Sequence, residues 1–180
     1  MKALASLIYY KLMGWKLVGR FPDLDQCVVA VVPHTSWMDF ALGLIVRKLI
    51  GKDIHYIGKA ALFRPPYGWF FRWTGGAPVD RSGGKDNVKA AAAVFRQHKV
   101  FRLALAPEGT RKKVDRWRTG FYYIALEAGV PIVLVAFDFG RKQVKISEPM
   151  VPTGNFEADY ATYLDFFKGV KGYIPEKGSY

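Results

Sequence analysis

Several things are scarce in this 180-residue chain. There is one cysteine, Cys27, so no intramolecular disulfide can form and a cysteine-rich zinc site is excluded. Cys27 stands in an apolar run and reads as a small core residue. No stretch reaches the roughly 18 consecutive apolar residues of a membrane-spanning helix. Glycine-rich nucleotide loops are missing too. Gly83-Gly84-Lys85 lacks the earlier glycine, and Asp86 stands where Ser or Thr would follow the lysine. Asp138-Phe139-Gly140 matches a kinase metal-binding triplet by composition alone, without the loops that accompany it. Internal repeats, low-complexity tracts and interdomain linkers are absent, so a single domain is expected over 1–180. A chain of this length buries a core without metals or disulfides.

Negative charge is also scarce: 15 Asp+Glu against 27 Lys+Arg, a formal net charge of +12. A field of that sign attracts polyanions, whether nucleic acid, anionic lipid headgroups or phosphorylated and CoA-bearing substrates. Aromatics reach 16%, with five Trp and ten Tyr. Basic plus aromatic suits a membrane interface, and equally a single-stranded nucleic acid whose bases stack on rings. Composition does not separate the two.

Periodicity gives an alternation of strands and helices, and hence an α/β fold: a mixed, mostly parallel sheet flanked by helices. Residues 2 to about 17 keep helical spacing at positions 4, 7, 8, 12 and 15. They read either as a helix packed on the domain or as an interfacial helix with Tyr9, Tyr10, Met13 and Trp15 in the headgroup layer. No small-residue cleavage site follows, so the segment is expected to be retained. Residues 19–26 form a connector. Cys27–Val32 reads as a buried strand, followed by a loop and a helix to about Ile50. A short strand over 54–58 ends just before Lys59. Residues 60–76 crowd Phe63, Tyr67, Trp69, Phe70, Phe71 and Trp73 around Arg64 and Arg72, which points to an exposed apolar surface or an acyl-chain channel. A polar loop at 82–85 leads to an alanine-rich helix over 86–98, a strand over 100–106, a basic loop, and a helix to about 128. A strand over 132–137, a short strand over 144–146 and a helix from 159 to about 170 complete the pattern. The last ten residues read as a loose tail.

Two strand ends carry chemistry. Pro33-His34-Thr35-Ser36-Trp37-Met38-Asp39 lies where a strand gives way to a helix, the position at which α/β proteins collect ligands and catalytic groups. A histidine five residues before an aspartate can fold back into an imidazole–carboxylate pair, leaving one ring nitrogen as a general base. Taken alone, the pair is better read as a loop histidine and a first-turn acid. Pro107-Glu108-Gly109-Thr110-Arg111 follows the strand over 100–106. Gly109 permits a tight turn, Thr110 supplies a hydroxyl, Arg111 a donor fork suited to phosphate, and Lys112, Lys113, Arg116 and Arg118 extend the basic loop.

Four blocks stand in order: His34-Thr35-Ser36-Trp37-Met38-Asp39, Gly76-Ala77-Pro78-Val79-Asp80-Arg81, Pro107-Glu108-Gly109-Thr110-Arg111 and Val130-Pro131-Ile132-Val133. Over residues 30–137 this resembles the glycerolipid acyltransferase family, typified by lysophosphatidate (1-acylglycerol-3-phosphate) acyltransferases. The motif-bearing core would span about 26–148. The resemblance implies that His34 is the general base and Asp39 its partner, and that Glu108, Gly109, Thr110 and Arg111 hold the acceptor's glycerol and phosphate. It implies that Lys59 lies near that phosphate and that Arg81 closes the second block. The fourth block reads as structural or acyl-facing. Pro33 stands where the family usually has Asn, and Ala106 where it usually has Phe.

The implied activity is transfer of a fatty acyl group from acyl-CoA or acyl carrier protein to a lysophospholipid, foremost lysophosphatidate, or else to another lyso-lipid such as a lyso-aminolipid. No metal or cofactor is called for beyond the acyl donor. Ser36 is expected to cap a helix rather than carry the acyl group. The expected partners are the acceptor, the thioester donor and an anionic membrane surface, with the protein peripheral on the cytoplasmic face. A basic nucleic-acid-binding protein is the rival reading. It accounts for charge and rings but not for the four ordered blocks, and no nucleic-acid motif is present.

Overall fold

The computed structural model describes residues 2–79 and 84–179. Seven strands form one sheet: β1 (Lys16–Val18), β2 (Gln26–Val32), β3 (His55–Lys59), β4 (Gly76–Val79), β5 (Phe101–Leu105), β6 (Ile132–Asp138) and β7 (Gln143–Ile146). Their spatial order is β1-β7-β6-β2-β5-β3-β4. Every pairing is parallel except β6 with β7. The mixed, mostly parallel α/β sheet read from the periodicity is the one observed.

The helices are α1 (Lys2–Ser6, continued by a π turn over Leu7–Leu12), α2 (Met38–Ile50), α3 (Gly68–Trp73), α4 (Gly84–Gln97), α5 (Gly120–Ala128) and α6 (Phe156–Phe167). The central strands are apolar on both faces because both are covered. Val28, Ala30 and Val32 of β2 join Ile132, Leu134 and Ala136 of β6 beneath α4, α5 and α6. Cys27 and Val29 join Val133, Val135 and Phe137 beneath the amino-terminal segment and α2. Glycines in the left-handed region end two helices, Gly51 after α2 and Gly129 after α5.

The amino terminus departs from the predicted continuous helix over 2–17. The helical path stops at Leu12, Gly14 turns the chain at φ +67°, and Lys16–Val18 pairs with β7 as an edge strand. The 3.6-residue spacing carried no sign of this, because a strand this short has almost no periodicity of its own. Tyr9 and Trp15 are buried in the second core, and the Tyr9 hydroxyl donates to the Lys16 carbonyl at 2.8 Å. Neither ring is therefore available to a headgroup layer. Leu4, Leu7, Tyr10 and Leu12 are the exposed apolar side chains of this segment.

The carboxyl terminus is not loose. Ser179 is buried, its carbonyl accepts from Trp117 Nε1 at 2.8 Å, and its hydroxyl accepts from the Val114 N–H at 2.9 Å. Smaller boundary shifts place Lys59 inside β3, start α4 at Gly84 and move the last helix to 156–167. Asn155 caps that last helix by accepting from the Ala158 N–H at 3.3 Å. Of the aromatic stretch, Phe63 is buried while Tyr67, Trp69 and Trp73 are exposed.

Candidate active site

The chain runs outward on one side of β2 through β3 and β4, returns as β5 beside β2, and crosses to β6 on the other side. Such a reversal leaves a crevice outside the carboxyl ends of the strands. The β2–β5 register pairs Ala30 with Leu105, so His34 and Gly109 each lie four residues beyond that pair. The loop after β2 and the loop after β5 therefore meet, and Lys59 ends β3 on the far side of β5.

Asp39 organises the first loop. It lies in the first turn of α2 with its side chain 1% exposed. Its Oδ2 accepts the backbone N–H groups of Thr35 and Ser36 at 2.7 and 2.8 Å. The same oxygen stands 3.4 Å from Nδ1 of His34. One carboxylate thus fixes the backbone that carries the histidine and faces its ring. Oδ1 of Asp39 is buried without a hydrogen-bond partner. Ser36 Oγ accepts from the Met38 N–H at 3.3 Å, a local turn contact at the entrance to α2.

The second loop reaches the first through Glu108. The His34 N–H donates to Oε2 of Glu108 at 2.5 Å, and Oε1 is buried without a partner. Burial pushes the Glu108 carboxyl up to about 7, against the opposing pull of the His34 amide, the His34 ring and the Ser179 hydroxyl, while Asp39 adds to the rise. Gly109 adopts φ +65°. That conformation favours glycine, and the Arg118 side chain lies over it, within 2.7 Å of where a Cβ would stand. The Thr110 hydroxyl accepts from the Lys112 N–H at 3.3 Å, and Arg111 is exposed.

A cleft of about 2390 Å³ contains His34, Asp39, Lys59, Gly109, Thr110 and Arg111 in its lining. That exceeds the roughly 300–1,000 Å³ of small-ligand pockets and leaves room for a long chain beside a polar head. Phe40, Leu44, Phe70 and Phe71 contribute apolar wall from α2 and α3. Of the residues singled out in the sequence, Glu108 is the exception: it is 1% exposed and turned behind the histidine loop. Arg81 lies outside the described residues. Among the described residues no three His, Cys, Asp or Glu side chains converge on a possible metal position.

Sequence reasoning missed the support behind the loop. Thr35 is buried, and its hydroxyl accepts from the Ile174 N–H at 3.2 Å. Contacts between positions so far apart leave no local signal. Arg118 was read only as part of a basic run. Its N–H to the Pro107 carbonyl (2.9 Å) and its packing on Gly109 make it part of the turn.

Residues 19–138, two-thirds of the chain, match the Acyltransferase family model, and the chain belongs to that family. It is 26% identical over 145 residues to a 1-acyl-sn-glycerol-3-phosphate acyltransferase of Streptococcus pneumoniae, a match covering 76% of this chain and 52% of that protein. The chain thus spans about half the length of this curated relative. The crystal structure of the 1-acyl-sn-glycerophosphate (LPA) acyltransferase PlsC from Thermotoga maritima superposes with a TM-score of 0.62 at 21% identity, covering 92% of this chain and 73% of that one. The two share the fold.

Proposed function

We propose that the chain is an O-acyltransferase that moves a fatty acyl group from an acyl thioester to the free hydroxyl of a lysophospholipid. The observation that carries this reading is the His34–Asp39 pair facing one cleft with Lys59 and the Gly109–Arg111 turn. A glycerol hydroxyl is a poor nucleophile until a base removes its proton. Nδ1 of His34 faces Asp39, so Nε2 takes that proton as the oxygen attacks the thioester carbonyl carbon. The carbon–sulfur bond then breaks, and the imidazolium returns the proton to the departing sulfur. Asp39 stabilises the imidazolium between these steps.

Lysophosphatidate is the acceptor that best suits the cations around the cleft. Lys59 and Arg111, with Arg81, would hold its phosphate, and Gly109 and Thr110 its glycerol. The donor is acyl-CoA or acyl carrier protein. The family membership, the S. pneumoniae relative and the ordered blocks support this over a lyso-aminolipid acceptor, and over nucleic-acid binding.

The enzyme would work as a peripheral protein on the cytoplasmic membrane surface. Among the described residues no helix is long and apolar enough to cross a membrane. Exposed Tyr67, Trp69 and Trp73 offer an apolar footing, and the basic balance offers attraction to anionic lipid. An acyl-transfer assay with both donor types and a panel of lyso-acceptors tests the reading. Turnover should be fastest with lysophosphatidate. Preference for a neutral or amino-containing lyso-lipid would move the assignment to that acceptor, and absence of transfer to any acceptor would remove it.

A further inference from the structure

Three successive N–H groups of the histidine loop are spoken for by two carboxylates from different parts of the chain. Those of Thr35 and Ser36 go to Asp39, and that of His34 goes to Glu108. Asp39 can fix the loop only relative to α2, on which it rides. Glu108 belongs to the turn after β5, the same turn that carries Gly109, Thr110 and Arg111. The Glu108 bond is therefore the direct tie between the peptide that bears the base and the turn assigned to the acceptor. The tie is also shielded from solvent, since Glu108 is 1% exposed. No cleft-lining atom comes from Glu108, although both of its sequence neighbours, Pro107 and Gly109, do line the cleft.

Resting on the acyl-transfer reading, we propose that Glu108 is a positioning residue: it holds the His34 peptide at a fixed place relative to the acceptor turn and does not itself bind acceptor. The motif resemblance groups Glu108 with the acceptor-holding residues, and the two roles predict different kinetics. A residue that touches acceptor in both ground state and transition state shows itself in KM. A residue that aligns the base shows itself in kcat, because displacement of a reacting group by about 1 Å costs on the order of 100-fold in rate. The groups facing Glu108 also fit an alignment role. The His34 ring and Asp39 are its titratable neighbours and the Ser179 hydroxyl its remaining polar one.

The experiment compares Glu108→Gln and Glu108→Ala with the unaltered full chain, by steady-state kinetics in both substrates and by the backbone amide signal of His34. Labelling with 15N-histidine leaves three backbone peaks, from His34, His55 and His98, and the one lost in His34→Gln assigns His34. The His34 amide should lie far downfield in the unaltered protein. It should move upfield in Glu108→Gln, which keeps an acceptor oxygen without the charge, and further in Glu108→Ala. Glu108→Ala should lose kcat by about 100-fold with acceptor KM within about twofold, and Glu108→Gln should recover most of that loss. A raised acceptor KM with kcat unchanged overturns the proposal and restores Glu108 to the acceptor. An unmoved His34 amide in both variants overturns it equally. Should the unaltered protein transfer acyl groups to no acceptor, the proposed activity fails. The amide signal, read without substrate, then still decides whether Glu108 holds the His34 peptide.

Discussion

Gly172 packs directly against Thr35: a Cβ built on Gly172 would stand 2.7 Å from Thr35 Cγ2 and 2.9 Å from its hydroxyl oxygen. The neighbouring Ile174 N–H donates to that hydroxyl. The segment after α6 thus forms a back wall to the histidine loop, one residue from the base. Gly172→Ala would force either this wall or the loop to move, at a cost of about 1–3 kcal/mol. Thermal denaturation should show the loss of stability, and kinetics should show a lower kcat at nearly constant acceptor KM. Unchanged stability and unchanged kcat together would mean that the wall yields freely.

The central pair gives the most severe expectation. Removing a general base costs typically 10²–10⁴-fold in rate. His34→Ala should lie at or beyond the upper end of that range while circular dichroism and melting remain near those of the unaltered protein. Asp39→Asn should lie within it, since the asparagine oxygen can still accept the Thr35 and Ser36 N–H groups but the charge facing the imidazole is lost. Near-normal turnover by folded His34→Ala would end the mechanism.

Lys59 and Arg111 are assigned to binding, not chemistry. Substituting either by Ala should raise the KM for a phosphorylated acceptor and change kcat little. With a neutral lyso-lipid acceptor the same substitutions should be silent. If phosphorylated and neutral acceptors respond alike, neither side chain is a phosphate ligand.

Glu108 makes a prediction about stability that is separate from rate. Its folded pKa is raised from 4.5 to about 7, chiefly by burial. Between those values the folded protein retains a proton that the unfolded chain releases, so Glu108 makes stability fall as pH rises, and the cost is complete above about 7. The full penalty is of order 3 kcal/mol. Glu108→Gln removes the titration. Urea denaturation at about pH 5 and about pH 8 should therefore show the variant gaining on the unaltered protein as pH rises. Parallel behaviour at both values would show that the carboxyl is not held in the apolar environment described.

Vesicle co-sedimentation tests the aromatic footing. Replacing Tyr67, Trp69 and Trp73 by Ser should weaken binding at low and high salt alike, because burial of apolar area, worth about 25 cal/mol per Å², is not screened. Neutralising Lys112, Lys113 and Arg118 should weaken it at low salt only, because attraction to an anionic surface falls off within a Debye length. A protein that ignores both neutral and anionic vesicles and binds single-stranded nucleic acid instead would revive the rival reading.

The parts of this structure legible in the sequence were those written into local patterns. The doubly buried β2 and β6 announced themselves as apolar runs, and α2 and α5 as periodic segments closed by Gly51 and Gly129. The histidine loop and the Glu108–Arg111 turn were legible because both follow such strands. The illegible parts depend on distant partners. Lys16–Val18 is a strand only because β7 lies alongside it. Trp117 is buried within a basic loop only because Ser179, 62 residues on, supplies the acceptor for its indole N–H. Glu108 is grouped by the motif resemblance with the acceptor-holding residues, and only the fold turns it inward to the His34 amide.

The five tryptophans divide sharply by environment. Trp15 and Trp117 are 6% and 2% exposed, whereas Trp37, Trp69 and Trp73 are 65%, 68% and 76% exposed. Trp37 lines the cleft, and the other two belong to the helix whose Phe70 and Phe71 line it. Intrinsic fluorescence is thereby sorted into a dry pair inside the fold and a wet trio around the site. The wet trio alone is open to aqueous quenchers such as iodide, so emission from this protein carries an unlabelled optical report of what arrives at the mouth of its cleft.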